Sequence, residues 1–90
     1  MITAQPHTYA IVSFDDKVTE EPLYFLFRIH AWDGTHPMIV DPEGMELIRL
    51  SSWIEERTGP FWADPRIEEL AAFHDDASAT EMFNSYRMPE

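Results

Sequence analysis

The sequence predicts an α+β fold: a small antiparallel sheet of three to four strands in the N-terminal half, packed against two to three C-terminal helices. Three observations lead there. Strand-like alternation of apolar residues is concentrated before residue 51, helix-capping signatures cluster after it, and 90 residues suffice for a single domain over 1–90.

Residues 8–14 (TYAIVSF) are rich in β-branched and aromatic types and read as a strand. The polar linker DDKVTEEP ends at Pro22, a position a strand start tolerates. Residues 23–32 (LYFLFRIHAW) alternate Leu23, Phe25, Phe27, Ile29 and Ala31 onto one face, so a central strand is expected there. Asp33-Gly34 is a two-residue hairpin signal, pairing Trp32 with Thr35 and Ala31 with His36. After Pro37 a short edge strand over 38–40 is expected. Asp41-Pro42-Glu43-Gly44 reads either as a turn into a strand over 45–50 or as a helix start capped by Asp41, and Gly44 favours the turn.

Ser52 and Glu55 form a capping-box pattern for a helix over 53–58, stopped by Gly59-Pro60. Asp64-Pro65 suits the opening of a helix over 65–75, with Ile67, Leu70, Ala71 and His74 on its inner face. Ser78 and Glu81 form a second capping box, for a helix over 79–87 that buries Met82, Phe83 and Tyr86.

The outlying quantity is charge. Seventeen acids against six bases give a formal net charge of −11, and Lys17 is the one lysine. The excess is shared by both halves of the chain. Such a field repels nucleic acid and anionic membrane and attracts basic protein surfaces. The absence of cysteine removes disulfides, thiolate zinc sites and cysteine nucleophiles. With no signal-peptide pattern and no apolar run of about 20 residues, a soluble cytoplasmic protein is expected.

No catalytic, metal or cofactor motif stands out. His30, Asp33 and His36 are close in sequence, but the expected hairpin points the two histidines to opposite faces. No HExxH occurs, and no glycine loop cradles a phosphate. His74, Asp75 and Ser78 suit a helix entrance better than a catalytic triad. A non-enzymatic protein without cofactor is expected.

Five acidic doublets remain as the partner-binding candidates: Asp15-Asp16, Glu20-Glu21, Glu55-Glu56, Glu68-Glu69 and Asp75-Asp76, with Trp62 as an aromatic anchor. If the helix from Pro65 runs far enough, Glu68-Glu69 and Asp75-Asp76 share a stripe. Their seven-residue offset rises about 10 Å, near three phosphate steps along a nucleic-acid strand. In size, acidity and lack of motifs the chain resembles small phage-encoded inhibitors of host defence, of the DNA-mimic and anti-CRISPR types. That resemblance is one of composition over the whole chain. It implies an inhibitor that covers a nucleic-acid-binding site on a basic partner protein, with no direct contact to nucleic acid or membrane. The other reading is a general interaction module, such as an immunity protein, adaptor or self-associating subunit. It would use an aromatic interface at Phe61, Trp62 and the strand edge near Met38.

Overall fold

A computed structural model describes residues 1–88. In chain order the elements are β1 (Ile2–Thr3), β2 (Thr8–Asp16), β3 (Pro22–Arg28), β4 (Ala31–Asp33), β5 (His36–Val40), β6 (Leu47–Arg49), α1 (Leu50–Arg57), β7 (Trp62–Ala72) and α2 (Asp76–Arg87). The fold is α+β, with two antiparallel sheets in place of the single one expected. One sheet has the order β1-β4-β5-β6 and the other β3-β2-β7. Strands therefore extend well into the C-terminal half, and two helices form.

The expected strand over 23–32 is broken because its neighbouring peptide groups bond to different sheets. The Ile29 amide donates to the Thr8 carbonyl, whereas the His30 amide donates to that of Met38. The chain crosses from one sheet to the other at this step. β3 is thus an outer strand, and β2 is the central one. Ala10 through Phe14 of β2 are all buried, as two covered faces require.

The Asp33-Gly34 hairpin closes one residue later than expected. Asp33 pairs with His36 and Trp32 with Pro37, which leaves Gly34-Thr35 as the loop. Gly34 takes the positive φ of 62° at the first loop position. β5 is not an edge, since it lies between β4 and β6. Pro37 is tolerated because β6 pairs only with Met38, Ile39 and Val40, so no neighbour on that side needs its missing N–H. β5 and β6 are joined by a turn in which Asp41 accepts from the Glu43 amide and the Met45 amide donates back to Asp41.

α1 begins at Leu50, not at residue 53. Its N-cap is Arg49, with no side-chain cap bond, so the Ser52–Glu55 capping box does not form. Starting earlier lets both Leu50 and Trp53 reach the core.

The expected helix over 65–75 is β7. Eight of its residues pair with β2, from Asp16 against Trp62 to Thr8 against Ala72. Local helix preference in IEELAA yields to the demand of β2 for a second neighbour. Asp64-Pro65 is therefore a bulge opposite Phe14, with Asp64 at φ 51°, and a second bulge inserts Glu68 between the partners of Ile11 and Val12. Ile67 and Leu70 are 48% and 39% exposed, and His74 is exposed also, so none forms an inner helical face. α2 starts at Asp76, three residues before expectation, and its cap is Asp75 rather than Ser78.

The core joins Ala10, Val12, Phe14 and Phe27 to Ile39 of the other sheet and to Leu50 and Trp53 of α1. Phe14 is surrounded by Phe25, Trp53 and Trp62 at ring separations of 5.9, 6.0 and 5.5 Å. The buried Trp53 indole N–H has no acceptor among the described residues. α2 lies on the opposite face of the three-stranded sheet, where Tyr86 meets Tyr24 at 5.7 Å.

Candidate protein-binding surface

The face of the three-stranded sheet beneath α2 gathers several predicted acids, each with a bonding partner. Register places Ser13 opposite Tyr24 on β3 and opposite Arg66 on β7. The fully buried Ser13 hydroxyl donates to Glu68 Oε1 at 2.7 Å. Arg66 bridges Asp15 at 2.9 Å and Glu68 at 3.3 Å. Its hydrogen bonds hold the Asp15 carboxyl below the usual carboxylate range. Glu69 accepts from the Tyr86 hydroxyl at 2.9 Å, which clamps α2 to the sheet. That bond, with burial and the carboxylate charge, raises the Tyr86 phenol above its ordinary value.

The start of α2 is held in the same way. Asp75 Oδ1 accepts from the Ser78 amide at 2.7 Å, and this bond is the main cause of its lowered pKa. The cap satisfies a helix donor and sets negative charge at the positive end of the dipole. Asp76 accepts from His7 at 2.8 Å and from the Tyr9 hydroxyl at 2.7 Å, and those bonds lower its pKa. Glu68, Glu69 and Asp75, which sequence left without a structural task, thus hold a strand, a helix and a cap.

The helical stripe of four acids does not exist. Glu68 and Glu69 lie in β7, whereas Asp75 and Asp76 open α2, with Phe73 and His74 between the two elements. Nor do all the doublets join. α1 packs by β5 and β6 and faces the core side of the three-stranded sheet, so Glu55-Glu56 lie across that sheet from α2. Asp16 ends β2, and its carboxylate holds the turn that follows by accepting from the Val18 and Thr19 amides. Glu20 and Glu21 are exposed in the β2–β3 loop. Trp62 is half-buried against Phe14 and Phe25, while its neighbour Phe61 is 64% exposed. Met38 is buried in an interior strand and offers no edge.

Charge is distributed unevenly once these bonds are drawn. Arg49 pairs with Asp33 at 2.7 Å, Arg57 with Glu43 at 3.1 Å and with Glu56 at 3.8 Å, and Arg66 with Asp15 and Glu68. Among the described residues, half of the six basic side chains are therefore engaged in ion pairs with carboxylates. Glu20, Glu21, Glu46, Glu55 and Glu81 are exposed and accept no side-chain bond from the described residues. Among the described residues no group of three or more His, Asp and Glu side chains could hold a metal ion. No described helix is long and apolar enough to cross a membrane.

The sequence did carry one signal for the missed β7. Residues 10–14 are small or apolar on both faces, and such a strand requires a neighbour on each edge. The bonds of Glu68 and Glu69 had no signal of their own, because they follow from the bulges. No protein-family model, curated protein or solved structure matches the chain.

Proposed function

We propose that the chain is a non-enzymatic binding module that docks on a basic surface of a partner protein and blocks a nucleic-acid-binding site there. It would act in the manner of the small acidic phage-encoded inhibitors it resembles. One observation carries this reading: a net charge of −11 on a chain whose Arg49, Arg57 and Arg66 are already spent on internal ion pairs. The outward field is negative, and it favours encounter with a positive patch while discouraging nucleic acid itself. The docking carboxylates are drawn from the unbonded ones: Glu20 and Glu21 in the loop and Glu55 on α1, with the Arg57-paired Glu56 beside it. Asp15, Glu68, Glu69, Asp75 and Asp76 add field while they hold the fold.

The test is affinity capture from the organism that encodes the chain, followed by salt titration of the captured complex. Dissociation should accelerate steeply between about 50 and 500 mM salt, and the double reversals Glu20→Lys with Glu21→Lys, or Glu55→Lys with Glu56→Lys, should weaken binding several-fold. A complex indifferent to salt and to both reversals refutes the proposal. A second reading has a specific observation behind it. Phe61 stands exposed at a shallow hollow of about 450 Å³ formed with Arg57, Gly59, Pro60 and Trp62, an aromatic anchor of the kind interfaces favour. Under that reading Phe61→Ala abolishes a salt-insensitive complex.

A further inference from the structure

The edges of the two sheets are guarded to very different degrees. β1 and β6, which flank the four-stranded sheet, are two and three residues long. β7 is long, but two bulges, Pro65 and the charged Arg66 and Glu68 disrupt its edge. Such features discourage pairing. β3 has no bulge, and it carries a proline and a charge only at its two ends, Pro22 and Arg28. Its register with β2 runs from Pro22 to Arg28 without a shift, and no charge or proline lies between those two residues.

The hydrogen bonds fix which peptide groups of β3 are open. Ile29 donates to Thr8 and Asp16 donates to the Glu21 carbonyl, so the odd-numbered residues of β3 bond inward to β2. The peptide groups of Tyr24, Leu26 and Arg28 consequently face outward, and they make no hydrogen bond within the described residues. Beside this edge lies a groove of about 680 Å³ whose lining includes Glu21, Tyr24, Phe25, Phe83, Tyr86 and Arg87.

We infer that β3 pairs with β3 of a second copy of this chain, antiparallel about a two-fold axis at Phe25, to make one six-stranded sheet across a homodimer. The occupant is self-complementary in three respects. On this register Tyr24 faces Leu26 of the second copy and Leu26 faces its Tyr24, so the outward peptide groups meet as bonded pairs. Arg28 of each copy reaches the Pro22 end of the other, beside its Glu20 and Glu21, which offsets part of the repulsion between two acidic chains. The axis stands normal to the sheet and keeps both α2 helices on one face, where Phe83 and Tyr86 close the groove from each side. An apolar cross-strand pair at Tyr24–Leu26 and buried aromatic groove walls supply the association energy.

The experiment is sedimentation equilibrium of the full chain from about 20 to 500 µM at about 50 and 500 mM sodium chloride. A reversible dimer is expected, tightening several-fold at high salt as the net repulsion is screened. This is the opposite of the salt response of docking on a basic partner, so the two readings fail separately. Amide hydrogen exchange at Leu26 and Arg28 should slow as concentration rises. Leu26→Pro removes an outward donor and should raise the dissociation constant at least about tenfold. Should that variant unfold, charge exchange replaces it: Arg28→Glu weakens the dimer, and adding Glu21→Arg restores it. A chain that stays monomeric throughout overturns the inference. So does a dimer whose Leu26 and Arg28 amides exchange at the monomer rate.

Discussion

Replacing Trp62 by alanine distinguishes a core tryptophan from an interface anchor. Its ring packs on Phe14 at 5.5 Å and on Phe25 at 5.4 Å, and the residue is half-buried. An enclosed aromatic side chain buries roughly 150–250 Å². Half of that at about 25 cal/mol per Å² amounts to about 2–3 kcal/mol. The two aromatic contacts add about 1 kcal/mol more. The loss is a large share of the stability of a chain this size, roughly 5–13 kcal/mol at the usual value per residue. With a urea slope of about 1–3 kcal/mol per M, unfolding followed by circular dichroism should show the midpoint fall by about 1–4 M. Phe61→Ala, beside it but exposed, should change stability by less than about 0.5 kcal/mol. If Trp62→Ala unfolds within about 0.5 kcal/mol of the parent chain, the tryptophan is not part of the core, and its loss of packing cannot explain a binding defect.

Two further outcomes follow from the hydrogen-bonded carboxylates. Asp15, Asp33, Asp75 and Asp76 all have lowered pKa values in the folded chain, each chiefly through hydrogen bonds from a neighbouring residue. A group depressed on folding contributes stability that is present above its unfolded pKa and lost as pH falls through the folded one. Thermal midpoints should therefore drop between about pH 4 and pH 2, and Asp75→Asn should flatten part of that slope. In the alkaline range, two of the three tyrosines, Tyr9 and Tyr86, titrate late because Asp76 and Glu69 accept their protons in hydrogen bonds. Glu69→Gln should bring one tyrosinate absorbance transition back toward its ordinary range while the Tyr9 transition stays put.

What the sequence conveyed well were the elements fixed by their own residues. The apolar run over 8–14, the strand start at Pro22 and the aromatic alternation through Phe27 depend on local pattern, and all lie in strands of the structure. What it conveyed poorly were properties that depend on a distant partner. IEELAA has strong helical preference, yet residues 8–16 of β2 draw it into a strand. The sharp step at Ile29–His30 leaves no break in alternation, because the side chains keep their period while the peptide groups change sheets. The site followed the same rule. Acidity was plain in the composition, but which carboxylates are engaged depended on Ser13, Arg66 and Tyr86, residues 17 to 55 positions away from Glu68, Glu69 or Asp15 for all but the Arg66–Glu68 contact.

The pairing of β7 with β2 also governs the order in which the chain can fold. β2 is complete by residue 16, but its second neighbour is not made until residues 62–72. Through most of synthesis one edge of the most apolar strand has no ladder partner. Closing a loop of that length before the sheet rewards it places this fold toward the slower end for its size, in the range of milliseconds to seconds. The two bulges in β7 then act late, setting the final register when the strand arrives. Destabilising the Asp64-Pro65 bulge should consequently slow the closing step more than it disturbs the hairpin of β2 and β3, which can assemble first.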